Sequence, residues 1–446
     1  MELVIISVFI LGYVAITLEH SIKLDKLIPA LMMMAICWAT IAFGIFNTYQ
    51  WFDPHVGQII DISLFNHEQK SHLLEGTLLH HFGKTAEILV FLMGAMAIVE
   101  MIDHFKGFGA IKKMIKTKSK LKLLWIISIL AFFLSAIIDN LTATIVLITI
   151  LRKIIPNNTD RMWYAGFIII AANAGGAWTP IGDVTTTMLW MAGKVTSGKL
   201  VTLLILPSII CTIVPLLIGS VLPAFKGKIN VDDEPQENTK HASFMLVLGL
   251  LLIVFVPIFK TITHLPPYIG MMLSLSIFAT VSEILSNRSI RLTQTDGIVD
   301  DSEHKGPTMH ALSKIEIPSV LFFLGILMTV ASMESLGMIF NFGEYVNNHI
   351  PQSVFVTLMG ASSAIIDNVP LVAASLGMFQ DAADANVWHH LAYAAGTGGS
   401  MLIIGSAAGV VAMGMEKISF FWYLKHISLL AIIGYLAGIG VMFITT

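Results

Sequence analysis

The hexapeptide Ser-Ala-Ile-Ile-Asp-Asn occurs twice, at positions 135–140 and 363–368, each time inside a long apolar stretch. Asp139-Asn140 and Asp367-Asn368 are therefore the first residues to ask about. A third carboxylate, Asp183, closes the Gly- and Pro-interrupted stretch 173–183, and Thr185 and Thr186 follow it. An ionised Asp at the centre of a membrane helix costs roughly 2.5–3.5 kcal/mol, so such groups normally face a water-filled cavity on an ion or proton path. Asn and Thr oxygens, unpaired backbone carbonyls and the negative ends of half-helices suit a small hard cation. A proton neutralises the same carboxylate charge, so Asp139, Asp183 and Asp367 read as sites where Na⁺ and H⁺ exclude each other. The competing reading is helix capping, for which Asp, Asn and Thr are well suited. Two copies beside interrupted helices favour the ion-path reading.

The elements that must present these residues are membrane helices. Of 446 residues 56% are hydrophobic and only 12% charged, far from the quarter typical of soluble domains. Apolar runs of 17 or more residues are about long enough to cross a bilayer. The apolar N-terminus, with Glu2 in place of a basic region, reads as a first span and not as a cleaved signal. Run 121–154 holds 34 residues, too many for one crossing and too few for two. Lysines precede it and Arg152, Lys153 and Arg161 follow it, so both ends fall on the basic, cytoplasmic side. A re-entrant hairpin with its tip at Asp139-Asn140 satisfies both facts. Run 353–379 repeats the pattern around Asp367-Asn368, with Pro370 expected to break a continuous helix.

Interrupted helices follow each hairpin, at 173–183 and 395–406. An unwound segment in a membrane is tolerated only where protein or a cavity satisfies its backbone. Five crossings separate the hairpins, an odd number, so the second copy is inverted. With the N-terminus outside, 21 of the 26 Lys and Arg fall inside, all but Lys70, Lys84, Lys194, Lys199 and Lys260. The expected fold is an all-α polytopic membrane protein of inverted repeats, each with a re-entrant hairpin and an interrupted helix. Inverted-repeat transporters build their sites where such elements meet at the midplane. The expected parts are scaffold spans over 1–120, a transport unit over 121–193, linking scaffold over 194–352, a second transport unit over 353–415 and a last span over 416–446. Polar connectors 47–83, 226–243 and 286–314 read as surface loops.

Other polar groups carry bland readings. Glu87, Glu100, Asp103, His104, Glu316 and Glu334 read as interfacial or packing residues, and the methionines as apolar filler. The spacing His67-Glu68-Gln69-Lys70-Ser71-His72 is one residue too long for a two-His zinc helix. His80-His81 and His389-His390 are likewise set aside as metal sites. Cys37 and Cys211 lie in apolar runs and do not suggest a disulfide.

The stretches 91–103, 135–146, 173–190, 362–374 and 396–409 resemble the NhaD-type sodium/proton antiporters of the ion transporter superfamily over nearly the whole chain. That resemblance implies a homodimer in a bacterial inner membrane, a transport domain moving in elevator fashion against a scaffold, and export of Na⁺ or Li⁺ in exchange for H⁺ without a cofactor. By position it points to Asp139, Asn140, Asn173, Asp183, Thr185 and Thr186 in the first half. In the second half it points to Ser363, Asp367, Asn368, Ser400 and Ser406. It implies that Na⁺ binds at Asp139, Asn140, Asn173 and Asp183, because the second interruption lacks the Trp-Thr-Pro and the acid of the first. Two other functions compete. A sodium-coupled symporter of di- or tricarboxylates shares the architecture, but two acidic tips would repel a dicarboxylate in a low dielectric. An intramembrane aspartyl protease also needs two membrane Asp residues, but its second Asp normally follows Gly-x-Gly, whereas Asp183 follows Pro180-Ile181-Gly182.

Overall fold

The computed structural model describes residues 1–17, 19–53, 58–115, 117–229, 241–293 and 306–445. Apart from two short antiparallel strands, Gln50–Asp53 and Gln58–Asp61, the regular elements described are helices. Eight of the described helices are long and apolar enough to cross a membrane. The protein is a multi-pass helical membrane protein.

The first hairpin forms as Lys120–Ile138 and Asn140–Arg152, with Asp139 alone at the turn. Its two outer ends meet the start of the next helix, Asn158–Gly176. Lys120 Nζ lies 2.6 Å from Asp160, and Tyr164 donates its hydroxyl proton to the Lys120 carbonyl. Arg152 and Arg161 both reach Glu416. The tip therefore points along Asn158–Gly176 toward its interruption at 177–183, beyond which Val184–Met191 continues. The second hairpin, Gln352–Ser362 and Asn368–Met378, is tied to the other end of that broken helix. Gln352 donates to Asp381, the Asp384 N–H donates to the Lys194 carbonyl, and the Asp384 carboxylate accepts from the Thr196 N–H and hydroxyl. The hairpins thus approach the interruption from opposite ends.

The two halves repeat in detail. Ser135 donates to Ala172 O at 2.6 Å, and Ser363, 228 positions on, donates to Ala395 O at 3.2 Å. In the second broken helix, Asn386–Gly398 and Ala407–Glu416, Ser406 stands where Asp183 stands in the first. Both start the second half-helix with extended backbone, φ −146° and ψ 149° for Asp183 against φ −143° and ψ 153° for Ser406. Each hairpin also touches its broken helix backbone to backbone. A Cβ at Gly175 would fall on the Phe132 carbonyl oxygen, and one at Gly398 on that of Gly360. Overpacking of this kind costs about 1–3 kcal/mol. Gly398→Ala is therefore expected to lower the thermal melting point of the detergent-purified protein. Gly414→Ala, where a Cβ meets nothing within 4 Å, is expected to leave it unchanged.

Ser197–Val221 and Ser428–Thr445 follow the two broken helices and pack on each other and on Asn158–Gly176 and Asn386–Gly398. Leu27–Gly44 and His67–His104 both pack on Ile317–Ser335, which also meets Asn368–Met378 of the second hairpin.

Several local expectations are corrected. The polar stretch 47–83 is not a loop: it holds the strand pair and the start of the 38-residue helix His67–His104. A capping box starts that helix, with Asn66 and Gln69 side chains bonding each other's backbone N–H. Lys70 is buried there, donating to the Phe46 and Thr48 carbonyls. The break expected at Pro370 is present: the run is interrupted between Ser362 and Asn368, and Pro370 lies in the first turn of Asn368–Met378, where its missing N–H is no loss. The apolar run 315–340 is cut by Gly337 at φ 70° into Ile317–Ser335 and Met338–His349. Connectors 226–243 and 286–314 fall partly outside the described residues. Within 286–314, the helix Pro267–Thr293 runs on to 293 and Pro307–Lys314 is helical.

Candidate cation site

Every interruption in the repeats ends at an N-cap, and the cap residues are the polar groups picked out from sequence. Asp139 starts Asn140–Arg152, Asp183 starts Val184–Met191, Asp367 starts Asn368–Met378 and Ser406 starts Ala407–Glu416. The capping and ion-path readings are therefore not alternatives. A cap uses one of the roughly four lone-pair sites of a carboxylate for a backbone N–H and leaves acceptor capacity for a ligand.

Asp139 pays most for its place. Its backbone, at φ 77° and ψ 158°, lies in a region nearly confined to glycine, which costs about 1–3 kcal/mol. One carboxylate oxygen accepts the Thr142 N–H and the other the Thr142 hydroxyl, both at 2.8 Å. Asp183 is buried at the centre of the first interruption. Its Oδ1 accepts the Thr185 N–H at 3.3 Å and its Oδ2 accepts the Asn368 amide of the opposite hairpin, also at 3.3 Å. Asp367 Oδ1 accepts the Val369 N–H at 3.3 Å.

These groups surround one cavity of about 70 Å³. Asp139, Asn140, Asp183, Thr187, Asp367 and Asn368 line it together with apolar residues such as Phe91, Met96 and Phe323. That space is ample for a cation carrying some of its hydration water. Gly396 packs on Asp183 where its counterpart in the first half is Asn173; a Cβ there would sit 3.5 Å from Asp183 Oδ2.

Of the sequence-derived candidates, Asp139, Asn140, Asp183, Asp367 and Asn368 converge on the cavity, whereas the others stand behind it. Asn173 is fully buried and absent from the cavity wall. It accepts the Asn140 amide at 3.0 Å and donates to Ile169 O and to Ser406 at 3.0 and 3.1 Å. Its role is to orient Asn140 and to join the halves. The Thr186 hydroxyl turns back to Asp183 O, Ser363 to Ala395 O and Ser400 to Thr397 O. The Thr185 hydroxyl is buried beside Asp183 without a well-formed hydrogen bond.

Two features were not anticipated. The half-helix ends carrying the carboxylates are the positive, N-terminal ones, whereas the sequence reading stressed the negative ends. Lys26, at the start of Leu27–Gly44, also lines the cavity, with Nζ 3.7 Å from Asp367 Oδ2. In sequence it is one of several lysines flanking an apolar run, and no local signal separates it from them.

Residues 13–395 match the CitMHS family, described as citrate transporters. The chain is 32% identical over 402 residues to the Na(+)/H(+) antiporter NhaD of Vibrio parahaemolyticus, covering 84% of this chain and 94% of that one. The chain belongs to the NhaD-type branch of the CitMHS family. Two plant proteins are also similar. Sodium/proton antiporter 1 of Arabidopsis thaliana is 38% identical over 439 residues, covering 97% of this chain and 70% of its own. Sodium/proton antiporter 2 of the same plant is 37% identical over 440 residues, covering 97% and 96%. Among solved structures, the YdaH transporter of Alcanivorax borkumensis superposes with a TM-score of 0.57 over 94% of this chain and 98% of its own. At 12% identity that likeness shows a shared fold and nothing of substrate. The NhaD-type proteins are transporters, so this chain is a membrane transporter and not an enzyme, and the aspartyl-protease reading falls away.

Proposed function

We propose that the protein exports Na⁺ or Li⁺ in exchange for protons. One observation carries this reading. The N-terminal ends of half-helices are the seats an anionic substrate would use, and here Asp139, Asp183 and Asp367 occupy three of them around one cavity. A pocket that supplies its own anions selects a cation or a proton.

Asp183 is the central exchange group. It is the most deeply buried of the three carboxylates and is touched by the opposite hairpin through Asn368. Na⁺ would sit among Asp183, Asp139 and Asp367 with the Asn140 and Asn368 carbonyls as neutral ligands. Protons arriving on those carboxylates would displace it. The names of the Vibrio and Arabidopsis relatives agree with this exchange.

Alternating access follows from re-entrant hairpins meeting from opposite membrane faces, with the cavity opened to one face at a time. In this account hairpins, broken helices, Ser197–Val221 and Ser428–Thr445 move as a unit against the group containing Leu27–Gly44 and His67–His104. The packing of Ser197–Val221 and Ser428–Thr445 on the broken helices favours counting them with the moving unit, although both fell outside it in the division read from sequence. We place the protein as a homodimer in a bacterial inner membrane, a state that mass measurement of the detergent-purified protein checks.

A sodium-coupled carboxylate symporter is the second reading, favoured by the family's citrate description and by Lys26 in the cavity wall. The experiment that separates them follows a pH-sensitive dye in inverted vesicles energised by respiration. Addition of Na⁺ or Li⁺ is expected to collapse the acid interior, and addition of citrate is not. Uptake of labelled citrate with no cation-dependent proton flux would reverse the order.

A further inference from the structure

We infer that Lys26 is a tethered cation that competes with the transported ion for Asp367. The placement of Lys26 is unfavourable by local rules. It is the N-cap residue of Leu27–Gly44, makes no side-chain cap, and puts a positive charge at the positive end of a helix. What compensates lies beside the ammonium: Asp367 Oδ2 at 3.7 Å and the face of the Phe322 ring, whose centroid is 4.4 Å from Nζ.

The three carboxylates then differ in kind. The oxygens of Asp139 and Asp183 accept from neutral donors, Thr142, Thr185 and Asn368. Asp367 Oδ2 faces an ammonium instead. At 3.7 Å the pair is looser than a hydrogen bond, and both side chains retain some exposure, 26% and 20%. An ammonium on a flexible stem is a compact, strongly hydrated point charge, the type of charge an alkali cation can replace. Lys26 and Na⁺ cannot both neutralise Asp367, so the lysine sets how much of the cavity's negative charge the transported ion meets. The pair also joins the start of Leu27–Gly44 to the tip of the second hairpin, which the moving unit carries in the account above. It therefore forms only where hairpin and span are apposed as they are here.

The inference rests on the cation-exchange reading and is tested in purified protein reconstituted into liposomes, by the KM for Na⁺ in Na⁺-driven proton flux. Lys26→Gln is expected to lower that KM about fivefold, the upper range for a partly exposed ion pair, with a smaller change in maximal rate. Lys26→Arg, which keeps the charge, is expected to stay within about twofold of the parent. Lys23→Gln removes the same charge from an exposed residue three positions away and is expected to leave KM unchanged. Parent flux with an unmoved or raised KM in Lys26→Gln overturns the inference and leaves the exchange reading standing. Equal shifts in Lys23→Gln and Lys26→Gln also overturn it, since the effect is then general surface charge. No cation-driven proton flux in the parent removes both.

Discussion

Asp183→Asn is expected to lower Na⁺-driven proton flux by at least about 100-fold, equivalent to about 2.7 kcal/mol of barrier, while leaving the fold intact. The two effects separate because Asp183 has two duties. As an N-cap it accepts the Thr185 N–H, and Asn caps helices about as well as Asp, so the melting point should move by only a few degrees. As the exchange group it must carry a negative charge that a proton or Na⁺ can neutralise, and an amide has none. The second repeat supplies a natural control, because Ser406 caps the equivalent half-helix without any carboxylate. Asp183→Ser should likewise fold and fail to transport. Flux near the parent level in Asp183→Asn would mean that the cavity exchanges ions without its most buried acid.

Glu416→Ala is expected to have the largest effect on stability. The Glu416 side chain is fully buried at the end of the second broken helix. Its Oε1 accepts Arg152 Nε, and its Oε2 accepts Arg161 Nε and the Asn158 amide, each at 2.8 Å. It ties the outer end of the first hairpin to both broken helices. Truncation leaves Arg161, only 14% exposed, without its carboxylate, and breaking a buried pair in this way costs about 3–5 kcal/mol. The yield of monodisperse protein and its melting point in detergent should both fall sharply. Asp160→Ala removes the partner of Lys120, a single pair whose side chains keep 19% and 23% exposure, and should cost less than loss of the fully buried Glu416, which holds three partners. A melting point for Glu416→Ala equal to that of Asp160→Ala would show that the cluster adds nothing beyond a single, more exposed pair.

Much of this arrangement is legible in the sequence, for a physical reason. A bilayer forbids unexplained polar groups and irregular backbone, so Asp139, Asp367 and the Gly-rich interruptions stand out where a soluble protein would hide them. The repeat of Ser-Ala-Ile-Ile-Asp-Asn then supplies the second half, and the absence of an acid opposite Asp183 is visible from the two interruptions side by side. What escapes is whatever depends on three-dimensional meeting. Lys26 lies 341 positions from Asp367, and only packing brings them together. Asn173 is one helical turn before its interruption, and nothing local shows that its amide supports Asn140 and Ser406 from behind the cavity. The start of His67–His104 was missed because hydropathy alone reads polar sequence as loop, whereas the Asn66–Gln69 capping box starts a helix well before its apolar part.

The central claim, that a proton and an alkali cation occupy the same carboxylates in turn, is tested most directly without any membrane. Na⁺ is added to detergent-purified protein in weakly buffered solution and released protons are followed with a pH indicator. The account predicts proton release that saturates with Na⁺, shrinks as the starting pH is raised until the carboxylates are already bare, and is lost in Asp183→Asn. Na⁺ binding seen by calorimetry with no proton release at any starting pH would contradict it.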